Sequence, residues 1–133
     1  MNRGFNLNNA PEDYTDADLV RDYTLAWTGE GDASHSWASD ELDDLVREEP
    51  ERAWPIILLI IARAPSDLFL AIVAAGPLEN LLCEHGINFI ERVEQEAACD
   101  PRFRHGLAGV WGSSSMPLEL QERLRRAVGN ESL

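Results

Sequence analysis

The sequence predicts an all-α fold of about eight short helices, packed as HEAT-like antiparallel pairs or as an irregular orthogonal bundle. Apolar residues recur three or four positions apart along almost the whole chain, and no stretch alternates as a strand does. Ser, Thr, Asp or Pro stands before most of these stretches, and Gly follows several of them. The intervening connections are short. With 133 residues, of which 44% are hydrophobic, the chain has the size and composition of one domain. That domain is placed at residues 15–129, between an irregular arm at 1–14 and a short tail at 130–133.

The arm is polar, with Phe5 and Leu7 as its apolar anchors. Thr15 and Asp18 form a capping-box start, with Asp in place of the usual Glu, and Leu19, Tyr23, Ala26 and Trp27 give the first helix its inner face as far as Thr28. Residues 29–34 (GEGDAS) are a loop. Ser36 or Ser39 caps a second helix that buries Leu42, Leu45 and Val46, with Asp43 and Arg47 set for an i,i+4 pair. Pro50 opens a third helix whose run Ile56 to Ile61 is apolar on most sides, which makes it the central helix. Pro55 must either start that helix or kink it.

Ser66 caps a fourth helix, Asp67 to Ala75, closed by Gly76. Pro77 opens a fifth that ends near His85 with Gly86 beyond it, and Asn88 caps a sixth carrying Ile90, Val93 and Ala97. Asp100–Pro101 starts a seventh with Phe103, Leu107, Val110 and Trp111 on one face. After the loop Gly112–Ser115, Pro117 starts an eighth that buries Leu120, Leu124, Ala127 and Val128. Glu119–Arg123 and Glu122–Arg126 are ordered i,i+4 pairs on it.

Charge narrows the function classes. The net charge is −13, from 24 acids and 11 basic residues that are all arginine. Without lysine there is no Schiff-base or P-loop chemistry. Residues 1–60 hold 14 acids against 4 arginines, a net −10, whereas residues 61–133 hold 10 against 7, a net −3. Such a field repels phosphate backbones and favours a basic protein partner or a cation. The second helix concentrates it in Asp40, Glu41, Asp43, Asp44, Glu48 and Glu49, which are the candidate partner-binding residues.

Cys83 and Cys99 are expected to be buried free thiols in a reducing compartment. The N-terminus lacks the apolar core of a signal peptide, and the run Trp54 to Ala62 is far short of the ~20 residues a membrane span needs. A soluble cytoplasmic protein is the expectation, with no cofactor and no membrane partner. Nothing in the sequence fixes an oligomeric state.

Residues 74–86 (AAGPLENLLCEHG) gather polar groups in apolar surroundings. As one short helix they explain themselves: Pro77 at the first position, Glu79 two further on where a carboxylate favours the helix dipole, His85 in the last turn and Gly86 past the end. His85 completes the stripe Leu78, Leu81, Leu82, so it faces the core. With Glu91 and Glu94, i,i+3 on the next helix, and Glu79, it forms a weak candidate metal set at the junction of the fifth and sixth helices. No established ligand spacing supports that set. Residues 101–105 (PRFRH) form a local basic patch suited either to ion pairing or to gripping a carboxylate.

Several of these elements together resemble a bacterial helical domain family of unknown function. They are Trp54 after its Glu-Pro-Glu start, AGPLENLLCEHG (Ala75 to Gly86), FIERVE (Phe89 to Glu94), DPRF (Asp100 to Phe103) and Val110–Trp111. The resemblance covers roughly Trp37 to Val128. It implies a bacterial source and an all-helical fold, and it carries no activity. The chain therefore reads as a small acidic interaction protein of the immunity, inhibitor or adaptor type. The alternatives are a metal- or ligand-dependent enzyme and a structural module of a larger assembly.

Overall fold

The computed structural model describes residues 10–110 and 116–129. The expectations for Phe5, Leu7, Trp111, Ser113 to Ser115 and the tail lie outside these residues. Among the described residues all regular structure is helical: α1 (Asp16–Thr28), α2 (Trp37–Glu48), α3 (Pro50–Ala62), α4 (Asp67–Val73), α5 (Glu79–Cys99), α6 (Pro101–Leu107) and α7 (Leu118–Val128). A single 3-10 turn, Ala33–His35, precedes α2. The chain groups into two compact units, Met1–Ile56 and Ile57–Leu133, and the division falls inside α3.

In the first unit, α1 begins and ends as its sequence dictates. The Thr15 side chain accepts from Asp18 N–H, the Asp18 carboxylate accepts from Thr15 N–H, and Gly29 closes the helix at φ 80°. Leu19, Val20 and Tyr23 of α1 are buried, as are Trp37, Ala38, Leu42, Leu45 and Val46 of α2. Trp27 departs from its expected inward place and is 46% exposed. Ser36 occupies the N-cap position of α2, but its hydroxyl donates back to Ala33 O. Pro55 neither starts nor breaks α3. It lies on the exposed side of a continuous helix, where water can satisfy the carbonyl it leaves without a donor.

In the second unit, Ser66 caps α4 by accepting from Phe69 N–H at 3.1 Å. Gly76 and Pro77 then do not separate two helices. The chain passes through them as a π turn, Ala74–Leu78, and continues directly into α5. The wider turn suits proline, which has no N–H to donate and whose ring crowds the carbonyl four residues back. Glu79 N–H bonds to both Ala74 O and Gly76 O, so Gly76 is no N-cap.

Gly86 lies just beyond a break at His85, where the sequence places the end of the fifth helix, while Asn88 lies inside the next helix and is not its cap. The stretch α5 joins two helices across a kink at His85 (φ −134°, ψ 22°), the second running to Cys99. The expected fifth and sixth helices are thus both present, joined end to end across that kink. With α4 and the π turn, α5 makes a helical stretch of 33 residues, Asp67–Cys99. Among the described residues this leaves six helices in place of the eight expected.

By length and composition alone that stretch could cross a membrane. In this fold its apolar side is packed instead: Phe69, Leu70, Val73, Leu78, Leu81, Leu82, Phe89, Ile90 and Val93 are buried, and α5 packs on α6 and α7. Asp100 caps α6 with Pro101 at its first position, and Pro117 precedes α7, both as the sequence predicts.

Candidate functional site

Two regions carry the residues that the sequence singles out, one in each unit. In the first unit, α2 turns an apolar side inward, which leaves Asp40, Asp43 and Glu48 exposed and Asp44 and Glu49 half-buried. Arg47 pairs with Asp44 and lies 3.9 Å from Glu48. Glu41 is not part of this surface. It is only 2% exposed, and its carboxylate accepts a 2.6 Å bond from the Tyr14 hydroxyl. At i−1 to Leu42 and i−4 to Leu45, its position belongs to the buried stripe, so the acidic face has five of the six expected members.

Around Glu41 lies a polar network that sequence reasoning missed. Tyr14, placed in the arm, packs on Trp37 with ring centroids 5.1 Å apart and planes tilted by 52°, and Arg52 donates to its hydroxyl at 3.0 Å. Trp37 donates its Nε1–H to Asp22 at 2.8 Å, and Arg21 donates to the same carboxylate at 2.9 Å. Asp22 and Glu41 are buried, and both have donors, as buried carboxylates require. One signal was available in the sequence: a charged residue in register with an apolar stripe needs a partner.

At the outer edge of this unit, Trp27 points its Nε1–H at the Ser39 hydroxyl of α2, 3.4 Å away. Its ring lies 6.3 Å from that of Tyr23, one turn back. Burial raises the Tyr23 phenol well above its usual range, and the charge of Asp43 adds to the shift. The exposed indole therefore stands on the side of α1 that faces Ser39 and Asp43, with Asp40 the next residue along.

In the second unit, the kink at His85 is the counterpart of the expected helix junction. His85 is half-buried rather than fully core-facing, and its Nε2 is buried with no hydrogen-bond partner. Glu79, His85, Glu91 and Glu94 are not brought together. Among the described residues no three His, Cys, Asp or Glu side chains are grouped as metal ligands would be. Glu94 is instead held by both nitrogens of a fork from Arg123, at 2.8 and 2.6 Å, which keeps its carboxyl below the usual range. Arg123 thus reaches across to α5 where the sequence suggested an i,i+4 partner in Glu119.

Gly86 owes its place to this packing. A Cβ there would fall 2.4 Å from Cδ2 of Leu120 on α7. Beside that contact, Ile87, Ile90, Pro117, Glu119, Leu120 and Arg123 line a pocket of about 200 Å³ between α5 and α7. Ile87 is 82% exposed and Leu118 75% exposed, both outside the apolar stripes read from the sequence.

The basic patch has a structural task. Arg102 donates to the carbonyls of Ile61, which also accepts from Ala64 N–H, and of Ala64 at the end of α3, and Arg104 donates to Ala97 O near the end of α5. These are helix C-termini, where guanidinium groups satisfy orphan carbonyls and complement the dipole. Cys83 is half-buried and Cys99 exposed, not both buried as expected. Burial raises the Cys83 thiol, with the charges of Glu79 and Glu84 adding to it, so it is not an activated nucleophile.

Comparison with known families matches residues 28–132 to a family of unknown function, DUF6869, and the chain belongs to that family. No curated protein and no solved structure matches the chain.

Proposed function

We propose that this member of a family without an assigned activity is a small acidic bacterial interaction protein of the immunity, inhibitor or adaptor kind. It acts in the cytoplasm and binds a basic protein partner, not nucleic acid or membrane. The observation that carries the reading is Trp27, 46% exposed and set against the α2 edge that bears Ser39, Asp40 and Asp43. An exposed indole beside carboxylates is suited to an arginine or lysine of a partner, through cation–π contact and charge together. The net −13 of the chain would speed encounter with such a partner. We also take the AGPLENLLCEHG element as a structural signature of the family, because its residues make the π turn, the kink and the glycine contact with α7.

Affinity capture from native lysate with the full chain, followed by titration of the recovered partner at several salt concentrations, tests the proposal. Trp27→Ala and the pair Asp40→Asn/Asp43→Asn are each expected to weaken binding about tenfold, which is ~1.4 kcal/mol, and wild-type affinity should fall as salt rises. Affinity indifferent to salt and to both variants, or the absence of any specific partner, would overturn it.

A further inference from the structure

We infer that the turn joining α1 to α2 is a proton-operated switch, with His35 as its sensor and the Asp32 backbone and carboxylate as the two groups it alternates between. The turn is short and closely tied. Gly31 N–H donates to Leu25 O at 3.1 Å, which closes the end of α1, and the 3-10 turn Ala33–His35 then leads into α2. The half-buried imidazole of His35 folds back on this closure. Its Nδ1 accepts from Asp32 N–H at 3.0 Å, and a Cβ at Gly31 would fall 2.7 Å from the same nitrogen. The ring therefore rests against the main chain of residue 31, where a side chain would displace it.

The bond to Asp32 N–H fixes a protonation state. A ring nitrogen that accepts from a backbone N–H carries no proton of its own, so His35 is neutral here with its proton on Nε2. Uptake of a proton at Nδ1 sets two donors against each other and breaks the bond. A replacement acceptor is already in place, because the Asp32 carboxylate lies 3.4 Å from Nδ1. Its Oδ1 also accepts from Ser34 N–H at 2.9 Å and from the Ser34 hydroxyl. These bonds to Ser34 hold the Asp32 carboxyl below its usual range, so it stays charged while an imidazole titrates. Glu30 before the turn and Asp40 in the first turn of α2 are the next acids along the chain. Among the described residues neither of them, nor any arginine of α1 or α2, comes within ion-pair distance of the ring. The two states thus differ by one substitution, in which a backbone donor is given up and a carboxylate acceptor is gained. That carboxylate also caps the 3-10 turn through Ser34, so the change draws on the bonds that shape the entry to α2. The switch stands apart from the partner-binding reading of the Trp27 edge and does not depend on it.

NMR titration of the 15N-labelled full chain from about pH 8 to about pH 5 tests the inference. Long-range proton–nitrogen spectra read the imidazole nitrogens, and the amide spectrum reads Asp32. At the upper end His35 is expected as the Nε2–H tautomer, with the Asp32 amide protected from hydrogen exchange. As the ring takes up its proton, the Asp32 amide signal should move with it and lose protection about tenfold, the loss of one ordinary hydrogen bond. His35→Asn puts a side-chain oxygen in the place of Nδ1 and cannot titrate, so its Asp32 amide should stay protected throughout. His35→Ala should lose that protection at every pH. In Asp32→Asn the backbone bond should survive at the upper end, whereas the protonated ring has lost its carboxylate, so His35 should need a lower pH to take up its proton.

A neutral His35 with its proton on Nδ1 would overturn the switch, since that nitrogen could then accept nothing. So would an Asp32 amide that ignores the titration of His35, or a His35 titration indifferent to Asp32→Asn. An Asp32 amide that moves equally in His35→Asn would also overturn it and would assign the response to another titrating group.

Discussion

Gly29 and Gly86 stand at the ends of two sequence patterns that read alike, and the fold uses them in opposite ways. Gly29 follows an amphipathic helix, is exposed, and closes α1 at φ 80°, a conformation that other residues adopt only at a cost of about 1–2 kcal/mol. Gly86 also follows an apolar stripe, but it is buried inside α5 and lies under Leu120. One glycine is there for its backbone and the other for its missing side chain. A glycine ends a helix where solvent can take the freed carbonyls. At Gly86 the chain kinks at the preceding His85 and resumes as helix, and the glycine becomes a point of close approach.

The largest test of this contrast is Gly86→Val, expected to destabilise the protein by about 2–3 kcal/mol through overpacking against α7. Leu120→Ala in the same chain should recover part of that loss, so the double variant is more stable than the sum of the single ones in denaturant unfolding. Gly29→Ala is expected to cost about 1 kcal/mol, with no coupling to Leu120. Equal coupling at the two glycines would erase the distinction.

The two units also differ in how they treat buried polar atoms. Asp22 and Glu41 have donors from Trp37, Arg21 and Tyr14, whereas His85 Nε2 has none. An orphaned polar atom is a standing cost, so His85→Leu is expected to raise stability by about 1 kcal/mol in thermal or denaturant unfolding. Loss of stability in that variant would show that the imidazole meets a partner in solution and would bring His85 closer to Asp22 and Glu41 in kind.

The smallest expected effect concerns Glu94. Arg123 holds its carboxyl below the usual range only in the folded chain. The contribution of the pair is therefore complete above the pKa of an unfolded glutamate, about 4.3, and is lost as pH falls through the lower folded value. Glu94→Gln should flatten that acid-limb slope by a fraction of a kcal/mol, because both side chains are about one-third exposed. An unchanged slope would show that the fork adds nothing to stability.

Legibility in the sequence followed the range of the interaction. The caps at Thr15, Ser66 and Asp100 were readable because donor and acceptor lie within three residues of each other. The acidic face of α2 was readable for five residues and failed at Glu41, whose partner Tyr14 is 27 residues away. The metal set failed for the same reason: Glu94 is taken by Arg123, 29 residues on. Ile87 was passed over because it is a single apolar residue outside a stripe, and only its place beside the pocket gives it a meaning.

The sequence by itself determined the all-helical class, most of the helix starts, the apolar faces and the acidic bias of the first 60 residues. Periodicity, local capping and charge act over a few residues and need no partner from elsewhere. Only the tertiary structure decided that Gly76 and Pro77 form a π turn, that the break at His85 is a kink and not a loop, that Glu41 is buried, that the arginines of residues 101–105 serve helix ends, and that an apolar pocket opens between α5 and α7. Each of these depends on which side chain arrives from a distant part of the chain. A buried polar group, a glycine or a helix end takes its role from the atoms packed against it.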